Sequence, residues 1–167
     1  MPHPYPKHLA SFDYRGKYLY SLTFTTFERE RRFLNRDAVE LVLLQILRSA
    51  RRHNVCVVAY CFMPDHLHLL VEGLDHRCDC LEFVKAAKQY SGYYFARQNG
   101  SRLWQRYSFE RVLRCENERA RAIRYIIGNP VRAGLVSHPA EYEFIGSQCH
   151  TLTDLLEEAA RADESSG

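Results

Sequence analysis

The sequence lacks any apolar run near the roughly 18 residues that a membrane-spanning helix needs, so we expect no membrane segment. Its first residues also lack the apolar stretch of a secretory signal peptide, since they read MPHPYPKHLASFDYRGK. No internal repeat, low-complexity tract or Gly/Ser-rich linker divides the chain. These absences favour a cytoplasmic protein with one domain over residues 1–167, and they disfavour membrane proteins and repeat arrays.

Acidic residues are scarce in the middle of the chain. Residues 85–132 hold eleven Lys/Arg against three Glu, a balance of +8, whereas residues 133–167 hold one Arg against seven acids, a balance of −6. Seven aromatic residues lie between positions 90 and 109. Basic residues interleaved with aromatic ones are typical of proteins that bind a polyanion with stackable bases. A solvated helix face produces the same charge pattern, so charge alone leaves both interpretations open.

The chain contains six cysteines, which we expect to be free thiols in a protein that is not exported. Cys56 and Cys61 stand in an apolar run and are predicted to be small core residues. A zinc site is one alternative function for the stretch HRCDC, with ligands drawn from His76, Cys78, Cys80 and Cys115 or Cys149. The spacing Cys-x-Cys is unlike the usual zinc-binding pair, which disfavours that alternative.

The hydrophobic pattern predicts the element order β-α-β-β-α-β-α. The predicted strands are 17–26, 54–62, 66–72 and 109–114, and the predicted helices are 35–52, 81–98, 116–128 and a short acidic one from 152. Glycine and proline in Gly128-Asn129-Pro130 are expected to end the third helix. This order predicts an α+β, ferredoxin-like fold with an antiparallel sheet and helices on one face.

Two histidines mark the third predicted strand. Alternate residues of a strand point to one face, so His66 and His68 should project side by side. Two imidazoles on a rigid strand are half of a metal site, although two partly exposed sheet histidines would give the same pattern. Glu72 shares this face by its period of two but stands further along the strand.

A tyrosine and an asparagine mark the third predicted helix. Tyr125 and Asn129 are four residues apart, which places them over one another on one helical face. Ile123 and Ile127 form the neighbouring apolar stripe and should pack on the sheet. Taken alone, the pair also fits a tyrosine at the edge of the core followed by a capping asparagine.

Taken together, the motifs carry a family resemblance. MPDHLHLLVE is followed by WQRYSFERVLR, RYIIGNPVRAGLV and EYEFIGS. In this order they resemble the IS200-like tyrosine transposases (the Y1 group of HUH enzymes), and most closely the REP-associated branch. The resemblance covers residues 17–147, which we interpret as the transposase core, and leaves residues 151–167 as an acidic C-terminal tail.

The resemblance implies a function and a site. His66 and His68 match the metal-binding pair, Tyr125 matches the nucleophile, and Asn129 stands where relatives supply a third metal contact. The implied reaction is nicking and rejoining of single-stranded or hairpin DNA through a 5′-phosphotyrosine link, with Mg²⁺ or Mn²⁺ as cofactor. Residues 107–110, YSFE, depart from the family pattern, so no role is transferred to them.

Six basic residues were selected as DNA-binding candidates: Lys85, Lys88, Arg106, Arg114, Arg124 and Arg132. Two further functions stay open for the same scaffold. One is a domesticated DNA-binding regulator without catalysis, and the other is a nickase of the rolling-circle initiator or relaxase type. The oligomeric state, monomer or homodimer, also stays open, because both occur among the transposases that the chain resembles.

Overall fold

A computed structural model describes residues 12–114 and 116–164 of the chain. Within them, the strands are β1 (Leu19–Thr26), β2 (Val55–Met63), β3 (His66–Gly73), β4 (Trp104–Leu113) and β5 (Ile145–Gly146). The helices are α1 (Arg36–Arg52), α2 (Cys80–Asn99), α3 (Glu116–Ile127), α4 (Asn129–Arg132) and α5 (Leu152–Glu164).

Capping residues explain where the first two long helices begin and end. The Asn35 side chain accepts a hydrogen bond from the backbone nitrogen of Ala38 at 3.0 Å, and Asp79 does the same for Glu82 at 3.1 Å. Both contacts satisfy amide groups that a helix leaves without partners in its first turn. Gly100 ends α2 at φ +69°, a left-handed conformation that glycine adopts without a steric penalty.

The strands of the described residues form one antiparallel sheet with the order β4-β1-β3-β2-β5. The first four of these strands, together with α1 and α2, make the β-α-β-β-α-β arrangement of a ferredoxin-like fold. The predicted α+β class and antiparallel sheet are therefore confirmed. The predicted element order is confirmed as well, with the short β5 added at the edge beside β2.

One face of the sheet packs against α1 and α2. Even-numbered residues of β1, among them Tyr20 and Phe24, point to this side and are fully buried. They join Phe62, Phe83 and other large side chains in a core cluster built mainly from aromatic and branched aliphatic residues. Because burial of such side chains is the main favourable term in folding, this face supplies much of the stability.

The second face packs against α3 and α5, so the expectation that all helices lie on one face was wrong. Val58, Cys61 and Leu70 point away from the first core and are fully buried. They contact a second apolar cluster that includes Ile126 and Leu155. A sheet with apolar residues on both faces needs a cover on each side, and α3 and α5 provide the second one.

The structure differs from the predicted start of β4 and confirms the predicted end of α3. Strand β4 begins at Trp104 rather than at residue 109, because Trp104 pairs with Thr26 across an irregularity in the register. The chain also continues in helical conformation after α3. Gly128 has φ −81° and ψ −9°, and its carbonyl accepts a hydrogen bond from the backbone nitrogen of Arg132 at 3.0 Å. The glycine therefore ends α3 as predicted, and the chain passes directly into the short helix α4.

The acidic C-terminal segment is a packed helix over most of its length. Leu155 is fully buried and Ala159 is nearly so, both within the second core cluster. Residues 165–167 of the predicted tail lie outside the described residues, and the proposed domain limits stay predictions. No helix in the described part of the chain is both long enough and apolar enough to cross a membrane.

Candidate active site

Strand β3 brings His66 and His68 together as the alternation predicts. Leu67 between them points to the first core and is fully buried, while the two imidazoles stand on the α3 side of the sheet. Their rings are 4.7 Å apart at an interplanar angle of 89°, and the two Nε2 atoms are 3.1 Å apart. The Nε2 atoms thus converge on one point.

Each histidine is held through its other ring nitrogen. Nδ1 of His66 lies 2.6 Å from a carboxylate oxygen of Asp65, and Nδ1 of His68 lies 3.0 Å from the hydroxyl oxygen of Thr23. Thr23 stands directly opposite His68 on β1. If both Nδ1 atoms carry a proton and donate to these oxygens, both Nε2 atoms present lone pairs to each other. Such outer partners are what fixes the orientation of metal-binding histidines.

The two histidines fit a divalent metal ion. Two lone pairs 3.1 Å apart repel unless a proton or a cation lies between them. Nitrogen ligands at about 2.1 Å from one ion and at right angles to each other would be about 3 Å apart, close to the observed separation. Two nitrogens with an amide oxygen form a mixed donor set, which suits Mn²⁺ on chemical grounds and Mg²⁺ by abundance.

Burial keeps His68 neutral. It is 8% exposed, and desolvation, His66 and Arg132 lower its pKa to about 4 from an ordinary value of 6.5. At neutral pH the Nε2 lone pair is therefore available. Partial burial acts to raise the pKa of Asp65, but the hydrogen bond to His66 and the contact with Arg29 outweigh it and lower that pKa. Asp65 thus stays ionised as the acceptor for His66.

Helix α3 places Tyr125 beside the histidines. The ring of Tyr125 is 5.6 Å from the ring of His68 at an angle of 79°, and 53% of the residue is exposed. The Arg132 guanidinium lies 4.4 Å from the centroid of the same ring and donates to the Tyr125 carbonyl. A β-carbon at Gly128 would lie 2.8 Å from the carbonyl oxygen of Arg124 and 2.9 Å from Nη1 of Arg132. Because the backbone carbonyl cannot move aside as a side chain can, this position favours glycine.

Asn129 lies one turn beyond Tyr125, as its spacing predicts. Its side-chain nitrogen donates to the carbonyl oxygens of Tyr125 at 3.0 Å and Ile126 at 3.4 Å. These bonds hold the nitrogen against the end of α3. Among the described residues, no hydrogen bond joins Asn129 to His66 or His68. Glu72 stands at the other end of β3, where Arg119 donates to it at 3.2 Å, so it takes no part in the site.

The six basic candidates are spread over several elements. Arg124 and Arg132 flank Tyr125 and are exposed, and Arg106 is exposed on the edge strand β4. Arg114 follows β4, and its backbone nitrogen is bound by Glu118. Lys85 and Lys88 lie on α2, beyond the other face of the sheet.

Lys88 is engaged within the protein. Its amino group donates to the carbonyl oxygens of Gln105 at 2.8 Å and Arg106 at 3.3 Å, and it lies 5.6 Å from the ring centroid of Phe24. Burial and the nearby Arg102 lower its pKa to about 8. Lys88 therefore joins α2 to β4, and its amino group is engaged by these carbonyls instead of being presented to a phosphate.

No local pattern in the sequence indicates Thr23, and only its place in the chain indicates Asp65. Asp65 adjoins His66 in the chain and could have been selected on that ground, but Thr23 is 45 residues from His68 and is found only through strand pairing. The zinc alternative loses support, because Cys78 and Cys80 are buried within the first core. Among the described residues, no group of three or more His, Cys, Asp or Glu side chains could hold a metal.

Comparisons with known proteins identify the family of the chain. The sequence matches the family described as "Transposase IS200 like" over residues 16–127, a range that includes both histidines and Tyr125 and ends just before Asn129. The chain therefore belongs to the IS200-like transposase family. It is 26% identical over 137 residues to a Haemophilus influenzae protein named as a REP-associated tyrosine transposase, covering 71% of this chain and 73% of that protein.

Two solved structures share the fold. One is a REP-associated tyrosine transposase bound to a REP hairpin, with a TM-score of 0.70 and 18% identity over 83% of this chain and 81% of that one. The other is a protein from Deinococcus radiodurans named as a transposase, with a TM-score of 0.50 and 25% identity over 72% of this chain and 95% of that one.

Proposed function

We propose that this protein is a metal-dependent endonuclease and strand transferase that acts on single-stranded, hairpin-forming DNA of the REP type. The single observation that carries the proposal is the contact between Tyr125 and His68, which sets an exposed phenol against the paired histidines. Family membership supports the enzyme class, and the names of the related proteins support the REP hairpin as the substrate.

Tyr125 is the proposed nucleophile. Among the described residues no hydrogen bond holds its hydroxyl, and the exposed ring can be reached by a phosphodiester. As the phenol oxygen bonds to phosphorus, its proton leaves to water, the bond from phosphorus to the 3′ oxygen breaks, and that oxygen takes up a proton. The products are a 5′-phosphotyrosine and a free 3′-hydroxyl. Because the covalent link keeps the phosphodiester energy, the reverse reaction can join strands without ATP.

The other residues would position and neutralise the reacting groups. His66, His68 and the amide oxygen of Asn129 would hold a Mg²⁺ or Mn²⁺ ion, which supplies positive charge at the phosphoryl oxygens. Arg132 lies against the Tyr125 ring, where its charge would favour a developing phenolate. Asp65 and Thr23 hold the two imidazoles in a fixed orientation. The histidines therefore need little rearrangement when the DNA phosphate binds.

A cleavage assay with a labelled REP-type hairpin in the presence of Mn²⁺ tests the proposed endonuclease activity. Wild-type protein is expected to give a covalent protein–DNA adduct that chelation prevents. Tyr125→Phe should form none, a loss of at least roughly 1,000-fold. Tyr107→Phe is the matched control, because Tyr107 is also an exposed tyrosine but lies on β4. Wild-type protein that binds the hairpin without forming an adduct would favour the regulator function instead.

We further propose that one chain completes the site. Tyr125 and His68 are in contact within a single chain, which supports catalysis in cis without a second copy. Mixing the Tyr125→Phe and His66→Ala variants distinguishes catalysis in cis from catalysis in trans, in which one chain would supply the tyrosine and its partner the histidines. In randomly assorted dimers with trans sites, mixing would restore up to about a quarter of the activity. No recovery is expected, and clear recovery would contradict the cis arrangement.

The substrate class can be tested separately from the chemistry. Arg124 and Arg132 are exposed beside Tyr125, Arg106 is exposed on the edge strand β4, and all three are proposed to contact the phosphate backbone. Replacing Arg124 by glutamine should weaken binding across all sequences and reduce the salt dependence by about one phosphate contact. A circular DNA without a hairpin, cleaved as fast as the hairpin, would favour the rolling-circle or relaxase alternative.

A further inference from the structure

Two cysteines meet at the end of the sheet away from Tyr125. The Sγ atoms of Cys56 and Cys149 are 2.7 Å apart although 93 residues separate them in the chain. Cys56 was predicted to be a core residue, but it is only half-buried, and Cys149 is exposed in the segment between β5 and α5. A disulfide bond is about 2.05 Å long, so a shift under about 1 Å would bring these sulfurs to bonding distance.

Backbone contacts hold the two cysteines together independently of their side chains. The backbone nitrogen of Gln148 donates to the carbonyl of Val57 at 2.9 Å, and the Gln148 side-chain oxygen accepts from the nitrogen of Val57 at 3.0 Å. Ser147 adds a hydroxyl bond to the same carbonyl at 3.4 Å. Because residues next to each cysteine are joined in this way, their proximity is a property of the fold and not of one thiol rotamer.

We propose that Cys56 and Cys149 are a redox modification site, which forms a reversible intramolecular disulfide by exchange with low-molecular-weight disulfides such as oxidised glutathione. The exposed Cys149 thiolate attacks the small disulfide and releases one thiolate, which gives a mixed disulfide on Cys149. Cys56 loses its proton, attacks the Cys149 sulfur and releases the second small thiol. Two protein thiols are oxidised and one small disulfide is reduced to two thiols, so atoms and electrons balance.

The order of the two steps follows from exposure. Burial, with the hydrogen bond to Cys149 as a second cause, raises the pKa of the Cys56 thiol to about 12, so Cys56 reacts second. Cys61, Cys78 and Cys80 are at most 1% exposed, which keeps them from small disulfides in the folded protein. Cys115 lies outside the described residues and is controlled by substitution below.

The crosslink would act on the helices that cover the second face of the sheet. Cys56 pairs with Glu72 across strands β2 and β3. Arg119 of α3 donates to Glu72 at 3.2 Å, to Glu158 of α5 at 2.8 Å, and contacts His150 at 3.2 Å. A bond from Cys56 to Cys149 would fix the start of α5 beside this charged cluster, and it would restrict α5 and the packed helix α3.

The full chain, equilibrated in glutathione buffers from reducing to oxidising, tests the proposal by non-reducing peptide mapping. One Cys56–Cys149 linked peptide is expected, and it should disappear in Cys149→Ser and Cys56→Ser and persist in Cys115→Ser. Oxidation should raise the Tm of wild-type protein by roughly 5–15 °C and leave that of Cys149→Ser unchanged. Glutathione that stays on Cys149 without closing the link, or a link that includes Cys115, would overturn the proposal.

Hydrogen exchange provides the second readout. In the oxidised protein, the amides of α5 should exchange at least several-fold more slowly than in the reduced protein, and those of α1 should not change. Equal rates for α5 in both states would contradict the restraint on that helix. Neither measurement involves DNA, so its result does not depend on the cleavage activity.

Discussion

The two faces of the sheet bury different kinds of side chain. The face under α1 and α2 is filled by large apolar residues, with Phe24, Phe62 and Phe83 fully buried. The face under α3 and α5 has a smaller apolar cluster and carries the paired histidines and the ion pairs of Arg119. Helices α1 and α2 also bury polar side chains, but these are uncharged: Gln45, Ser49 and Ser91.

This difference suggests that the first face contributes mainly to stability and the second face holds the candidate active site. Apolar burial on the first face stabilises the fold without restricting which polar groups the second face can hold. On the second face, His68 is held by Thr23 and Arg119 by Glu158. Substitutions on the first face should therefore change stability alone, and those on the second should change activity.

The largest expected effect is the loss of the metal-binding pair. His66→Ala and His68→Ala should each reduce single-turnover cleavage by roughly 1,000-fold or more and weaken Mn²⁺ binding measured by calorimetry. His53→Ala is the control, because His53 ends α1 away from the site. Full activity in either variant would show that the face under α3 does not hold the catalytic ion.

A comparable effect on stability alone is expected from the first face. Phe83→Ala removes a fully buried ring from α2 and should lower the free energy of unfolding by about 3–5 kcal/mol. Chemical denaturation measures this change. The cleavage rate per folded molecule should stay near the wild-type value, and a large loss there would break the separation between the faces.

A smaller effect follows from the low pKa of His68. Between pH 6.5 and about 4, the unfolded chain binds a proton at His68 that the folded chain does not bind. The free energy of unfolding should therefore fall as the pH is lowered through this window, by up to about 3 kcal/mol in the presence of a chelator.

His68→Gln isolates this contribution, because glutamine does not titrate. Urea denaturation at pH 7 and pH 4.5 should show a smaller loss of stability on acidification in the variant than in the wild type. An identical loss in both proteins would mean that His68 titrates in the folded state as it does in the unfolded chain.

The smallest expected effect comes from the partner of His68. Thr23→Val removes the hydroxyl beside Nδ1 and should weaken Mn²⁺ binding and cleavage by about 10-fold. Thr25→Val is a matched control on the same strand face, since Thr25 pairs with His66 and is also half-buried. If both variants lose the same activity, the loss is caused by a change in strand β1 and not by removal of the Thr23 hydroxyl.

Local patterns in the sequence predicted most of the helices and strands and two of the side-chain placements. Period-two alternation placed His66 and His68 on one face, and helical spacing placed Asn129 over Tyr125, because both rules depend only on neighbours in the chain. The metal and catalytic roles of these residues stay predictions until they are tested.

Features that depend on distant residues could not be predicted in this way. To predict that α5 covers the second face, one must know where Leu155 packs. The contact between Cys56 and Cys149 joins residues 93 positions apart in the chain. The start of β4 at Trp104 was missed because its pairing with Thr26 passes through an irregular register. In each case, tertiary packing decides what local pattern leaves open.

The location of the covalent bond tests the central claim most directly. After the hairpin reaction in Mn²⁺, nuclease and protease digestion followed by mass spectrometry should find a 5′-linked nucleotide on the peptide that contains Tyr125. The same digest of Tyr125→Phe should contain no modified peptide. A nucleotide on any other tyrosine, or cleaved DNA with no protein-linked nucleotide, would contradict Tyr125 as the nucleophile.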